Sequence, residues 1–143
     1  MKLSIIILVV LTNSILQAEE YKAVLSAYCS CKKCCSWHYD KNGVPRFDLR
    51  PSKKKVIGVT ASGSKARSWR TLALPSEFKF GSVVESKMHG EWSVMGIVED
   101  RGGAIISKKS KNGSKSIKVD IYFDSHKDAL KFGIRHTTVR IKK

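Results

Sequence analysis

The chain has 143 residues, with 27 Lys and Arg against 12 Asp and Glu and a formal charge of +15. That length leaves room for one domain with a single modest core and excludes a multidomain enzyme. The charge specifies no fold, but it favours an anionic partner over lysines that merely solvate the surface.

Lys2 precedes the uninterrupted apolar run Ile5–Leu11, and polar Thr12-Asn13-Ser14 follows. Ile15-Leu16-Gln17-Ala18 then places a small residue before Glu19-Glu20. This is the pattern of a secretory signal over residues 1–18, with cleavage after Ala18. A membrane anchor is the weaker reading, because a spanning helix needs about 20 mostly apolar residues. The lipoprotein route lacks its cysteine near residue 18. The expected mature domain, residues 19–143, is a secreted monomer of the periplasm or cell wall. There it meets wall polymers, lipid headgroups and anionic sugars before nucleic acid.

Short strands separated by Gly, Ser, Lys and Asn turns follow. They are predicted at Tyr21–Tyr28, Val56–Thr60, Thr71–Leu74, Val83–Ser86 and Trp92–Glu99. In Ile117–Phe123, Ile117, Val119, Ile121 and Phe123 alternate with Lys118, Asp120 and Tyr122, a period of two. Thr137–Ile141 alternates likewise. One helix is predicted, capped by Ser125 with Asp128 three residues on, carrying Ala129, Leu130 and Phe132 on an apolar side and stopped by Gly133. Trp37–Lys55 and Ser107–Ser116 lack strand signals, and the latter reads as an exposed, mobile basic loop. About six strands and one short helix predict a mainly β fold, a small closed barrel.

Cys29, Cys31, Cys34 and Cys35 are the only cysteines and lie in one heptapeptide. In an exported chain the leading reading is disulfides that stiffen this turn. Vicinal Cys34–Cys35 pairing would close a strained ring, which leaves the two crossed or nested pairings. The rival is a zinc site of four thiolates, awkward for one heptapeptide because structural zinc usually draws ligands from two separate segments. No metal is expected.

The few carboxylates are informative. Glu77, Glu85 and Glu91 read as solvated, and Asp124 and Asp128 belong to the helix start. Asp100 ends an apolar strand before Arg101-Gly102-Gly103, where glycines let other atoms approach the backbone. Asp120 lies inside a strand, which is costly for a carboxylate unless it is paired or wet. Asp100 could instead bond turn amides, and Asp120 could face outward beside Lys118. Brought to one cleft, the two suit glycosidic cleavage, which needs a proton donor and stabilisation of a cationic sugar. Neighbouring carboxylates can keep that donor protonated.

Several segments in order resemble the 3D-domain family. Ala27–Cys35 resembles its AYCxCxxCC opening, and Thr60-Ala61-Ser62-Gly63 matches its TASG. Thr71–Pro75 with Phe80-Gly81-Ser82 resembles "vA-x-P … plG-t". Glu99–Ile105 matches "eDxGgaI", and Val119–Phe123 matches "iDlyf". Ala129–Gly133 and Val139 also fit, so the resemblance runs from Tyr21 to Ile141. It implies a six-stranded double-psi β-barrel related to the core of membrane-bound lytic transglycosylase A. It also implies cleavage of the peptidoglycan MurNAc–GlcNAc β-1,4 bond to a 1,6-anhydroMurNAc end, with Asp120 as acid and base and Asp100 beside it. Thr60, Ser62, Gly102 and Gly103 are candidate sugar contacts, and no cofactor is required. Two departures stand out. Pro75 occupies the position of the family's first aspartate, and Ser107–Ser116 lengthens a short connection. Lys108, Lys109, Lys111 and Lys115 in that connection are candidates for holding an anionic wall polymer. A non-catalytic wall-binding module is the alternative function.

Overall fold

A computed structural model describes residues 18–88 and 90–143, so the expected signal segment lies outside the described residues except for Ala18. In chain order the first elements are β1 (Glu19–Tyr28), α1 (Lys32–Cys35), β2 (Trp37–Tyr39), β3 (Pro45–Phe47) and β4 (Arg50–Lys54). There follow β5 (Thr71–Ala73), β6 (Val83–Met88), β7 (Glu91–Asp100), β8 (Ser107–Lys109), β9 (Lys115–Tyr122), α2 (His126–Phe132) and β10 (Arg135–Lys142). The fold is mainly β, as the sequence predicts. No helix of the described residues is long and apolar enough to cross a membrane.

The main sheet has the order β1-β10-β6-β7-β5-β9-β8, and β1 also pairs with β9. Every strand but β8 therefore belongs to a closed ring. β1 is the closing strand: antiparallel to β10 from Glu19↔Ile141 to Leu25↔Arg135, and parallel to β9 from Lys22↔Ser116 to Tyr28↔Tyr122. A second parallel pair joins β5 to β7.

The alternation of the sequence dictates which face turns inward. Ile117, Val119 and Ile121 of β9 point into the ring with Ala23 and Leu25 of β1, while Lys118 and Asp120 take the outer face. Leu72, Val84, Val98 and Val139 complete a core whose large aliphatic side chains are fully buried. Each contributes about 1.5–3 kcal/mol by leaving water. Tyr28, Ala73 and Tyr122 form a second, smaller cluster on the outer face, against which Cys34, Cys35, Ala66 and Ile105 pack.

Ser125 caps α2 as predicted, but the reciprocal bond from its amide to the Asp128 carboxyl is replaced by a side-chain one. Ser125 Oγ accepts from the Asp128 amide at 3.1 Å and donates to Asp128 Oδ2 at 2.6 Å. Ala129 and Phe132 are buried, but Leu130 is 68% exposed, because a seven-residue helix turns a single stripe to the core.

Four expectations are corrected. Val56–Thr60 is no strand: Gly58 takes φ +76°, and only an isolated bridge joins Val59 to Lys65. Val56, Ile57 and Val59 stay exposed, so their β-branched character finds no partner. Trp37–Lys55 instead holds a separate three-stranded sheet, β2-β3-β4. Its first turn is organised by Asp40, whose Oδ1 accepts from the amides of Asn42 and Val44 at 2.9 Å, with Gly43 at φ +73°. Ser107–Ser116 is largely a β-hairpin, with β8 pairing to the start of β9 from Ser107↔Ile117 to Lys109↔Lys115. Glu85 is also misplaced by the sequence reading, being buried and ion-paired with Arg140 and Lys142.

Gly96 lies where β7 crosses β5. A Cβ there would meet Arg70 O at 2.3 Å and Leu72 Cγ at 2.9 Å. Gly96→Ala is expected to destabilise the fold by about 1–3 kcal/mol, read as a lower denaturation midpoint. Gly103→Ala, with open space around its Cβ, should leave the midpoint unchanged.

Candidate functional site

Backbone register brings the two sequence-predicted aspartates together. Ala73 of β5 pairs with Asp100 of β7 on one side and with Asp120 of β9 on the other. Ser26 of β1 in turn pairs with Asp120. The outer face thus carries the row Ser26–Asp120–Ala73–Asp100 across four strands. Two strand spacings set the aspartate backbones about 10 Å apart, and the Ala73 side chain between them is buried against Tyr28 and Tyr122.

The two carboxylates differ in their partners. Asp100 accepts three hydrogen bonds: from Tyr28 Oη at 2.6 Å, the Ala61 amide at 2.8 Å and the Arg101 amide at 2.9 Å. Its role therefore includes turn formation, one of the two readings the sequence left open. Asp120 accepts from Ser26 Oγ at 3.0 Å. Burial pushes the Asp120 carboxyl above its ordinary value of 3.8, and the Asp100 charge adds to this; the Ser26 hydrogen bond and Lys118 act in the opposite direction. The site holds one carboxyl engaged by three protein donors and one that burial biases toward its protonated form.

Tyr28 is the residue that sequence reasoning missed. It ends β1, is buried, and packs edge-on against Tyr122 with ring centroids 5.4 Å apart. Burial first, then the Asp100 charge, hold its phenol far above the ordinary range, so it stays a neutral donor. The signal was available as a polar-tipped aromatic at the end of a strand, but its partner lies 72 residues away.

The other candidate residues divide. Thr60 and Ser62 sit beside Asp100, because the Thr60–Gly63 turn docks through the Ala61 amide and through the Ser62 amide on Glu99 O at 3.1 Å. Thr60 is buried, and its Oγ1 donates to Ser64 O at 3.1 Å and lies 3.0 Å from Ser62 Oγ. Ser62 remains exposed. Gly102 and Gly103 form an exposed turn closed by the Ile105 amide on Gly102 O at 3.0 Å. Arg101 holds that turn by donating to Leu74 O, Phe78 O and Asp100 O. Pro75 lies in a backbone turn, its carbonyl accepting from Phe78 N at 3.1 Å.

The basic hairpin is not at this site. Lys115 to Asp120 spans roughly 16 Å of strand, so Lys108, Lys109 and Lys111 extend from the opposite end of β9. A concavity of about 550 Å³ also lies at that end, between Glu19, Tyr21, Glu77, Phe78, Lys115 and Lys143. It borders Ala18, the first described residue. The crevice at Tyr28, Thr60, Asp100 and Tyr122 is far smaller, about 10 Å³. The smaller one carries the chemical argument, because Tyr28 and Asp100 line it together, although Asp120 is not among its lining residues.

All four cysteines are free thiols, with Cys29 and Cys34 Sγ 3.7 Å apart, whereas a disulfide needs about 2.05 Å. No family model and no curated protein matches this chain, so a role has to be argued from the site itself.

A raised carboxyl pKa has a stability consequence. The folded state keeps the Asp120 proton at pH values where the unfolded chain has released it. That contribution is present below 3.8 and is lost as pH rises through the folded-state value. Asp120→Asn removes the penalty of burying the charge. Relative to wild type, the variant should gain stability between acidic and neutral pH, measured by denaturant melts from pH 3 to 7. A difference constant across that range would show that Asp120 titrates as a solvated residue.

Proposed function

We propose that the chain is an exported peptidoglycan lytic transglycosylase on a double-psi β-barrel. The closed ring with two parallel strand pairs, β1–β9 and β5–β7, supports the fold reading. The observation that carries the function is the pairing of Asp100 and Asp120 on either side of Ala73, with Asp120 biased toward its protonated form.

Protonated Asp120 gives its proton to the glycosidic oxygen as the bond from muramoyl C1 breaks. The resulting carboxylate takes the proton of the muramoyl C6 hydroxyl, whose oxygen closes on C1 as the 1,6-anhydro ring. The proton lost in the first step is regained in the second, so one residue serves both. Burial, with the Asp100 charge adding to it, biases Asp120 toward its protonated form, and the Asp100 carboxylate, held by Tyr28 and two amides, favours the cationic sugar. The exposed Ser62 hydroxyl and the Gly102–Gly103 turn flank the open side for sugar contacts. No cofactor takes part in these steps.

A silent wall-binding module is the second reading. Pro75 in place of an aspartate and the narrowness of the crevice at Asp100 favour it. In either reading the partner is glycan, with the excess lysines drawing the protein to an anionic wall.

Digestion of sacculi followed by mass spectrometry separates the two. Asp120→Asn should abolish anhydro-muropeptide release, since general acid–base catalysis is worth about 10²–10⁴-fold. Asp100→Asn should cost less and move the alkaline limb of the rate profile to lower pH, because the charge that raises the Asp120 pKa is gone. Undiminished release by Asp120→Asn, or bound protein with intact glycan from wild type, would reject the catalytic reading.

The hairpin lysines lie away from the aspartates and would supply only uniform binding. Replacing Lys108, Lys109, Lys111 and Lys115 with Ser should raise the apparent KM for sacculi and flatten its salt dependence, leaving turnover unchanged. An unaltered salt profile would return these lysines to plain solvation.

A further inference from the structure

We propose that Cys29, Cys31, Cys34 and His126 form a tetrahedral zinc site that ties the end of β1 to the start of α2. The inference stands on its own and does not depend on the chemistry of the aspartates.

The four ligand atoms all lie within 4.8 Å of one another. His126 Nδ1 is 3.4 Å from Cys34 Sγ, 3.5 Å from Cys31 Sγ and 3.8 Å from Cys29 Sγ. Cys29 and Cys34 Sγ are separated by 3.7 Å. Zinc bonds sulfur at about 2.3 Å and imidazole nitrogen at about 2.0 Å, so the edges of a Cys₃His tetrahedron measure about 3.5–3.8 Å. Four of the six spacings, 3.4–3.8 Å, match those edges closely, and the other two lie within 4.8 Å.

Hydrogen bonding does not explain the cluster. One imidazole nitrogen offers either one proton or one lone pair, yet three sulfurs surround Nδ1. Cys31 occupies the N-cap of α1 but makes no capping hydrogen bond, so its sulfur is not spent on the helix. Complete disulfide pairing would also need Cys35. Its thiol instead donates to Cys29 O at 3.2 Å and packs with the Tyr28–Tyr122 cluster.

The ligand set answers the objection raised by the heptapeptide. The fourth ligand comes from a distant segment, and the fourth cysteine is excluded. Three soft thiolates and one imidazole with no open position select zinc in a structural role. The local sequence presents these groups. α1 is a single turn that ends at Ser36 in the left-handed region, and the Ser125 cap fixes His126 as the first helical residue of α2. Tyr28 adjoins Cys29, so the metal would also anchor the donor to Asp100.

The test uses the full chain, purified reduced and without oxygen, then loaded with Co²⁺ and separately with Zn²⁺ and dialysed. Wild type should retain one equivalent of either ion. The Co²⁺ form should show the visible bands of a tetrahedral site and thiolate charge transfer, and Zn²⁺ should raise the melting temperature. Cys35→Ser should bind as wild type. His126→Ala should weaken retention by roughly two orders of magnitude or more, and His126→Cys should restore it with stronger thiolate charge transfer. Failure of reduced wild type to retain either ion would overturn the proposal. So would equal loss in Cys35→Ser, or unchanged binding in His126→Ala. A Cys29–Cys34 or Cys31–Cys34 disulfide without metal in protein isolated from its own export compartment would overturn it as well.

Discussion

Everything chemical in this molecule depends on the double pairing of β1. One edge of the strand is antiparallel to β10 and the other is parallel to β9, and this closes the ring. Closure puts Ser26 beside Asp120 and sends Tyr28 across to Asp100. It also delivers Cys29 to the point where α2 leaves β9, next to His126. Without it, β9 would present its carboxylate to solvent, and the cysteine turn would face nothing. The inward residues of β1 and β9 stabilise the closure by burial, and a slip of one residue would exchange their inner and outer faces. The same register that fills the core therefore fixes the site.

The outer face then separates two acids by environment. Asp100 is engaged by three donors from three segments, which makes it as much a structural hub as a chemical group. Asp120 has one hydroxyl partner and less access to water, so its protonated form is favoured. Ala73 between them is buried against Tyr28 and Tyr122, so a larger residue at this position in β5 would crowd the tyrosine that donates to Asp100. The hydroxyls of Thr60 and Ser62 shape the turn that hands the Ala61 amide to Asp100.

Much of this was legible in the sequence wherever burial sets a period. The alternation in Ile117–Phe123 identified β9 and set Asp120 on the face opposite the core. The Ser125–Asp128 cap located α2, and the strand ending at Asp100 was equally clear. What escaped notice has a common physical cause. β2, β3, β4 and β8 are short and, apart from buried Trp37 and half-buried β3, largely exposed, held by backbone pairing and by turns such as Asn42-Gly43 and Asn112-Gly113, so hydropathy carries little trace of them. Val56–Thr60 shows the converse, a strand-like composition with no strand beside it to pair with. Tyr28 and His126 gain their significance only from residues 72 and more than 90 positions away. No local pattern encodes such distances. The cysteine heptapeptide was recognised as one unit, whereas the fold divides it, sending three sulfurs to His126 and Cys35 to the tyrosines.

The central claim is that ring closure joins Asp100 and Asp120 into one site in which Asp120 works as the acid. Carboxyl ¹³C chemical shifts, followed through a pH titration of the wild type and of Asp100→Asn, test it most directly. The account predicts that Asp120 titrates above 3.8 and that removing the Asp100 charge lowers its midpoint. An Asp120 midpoint at or below 3.8, unmoved by Asp100→Asn, would contradict it.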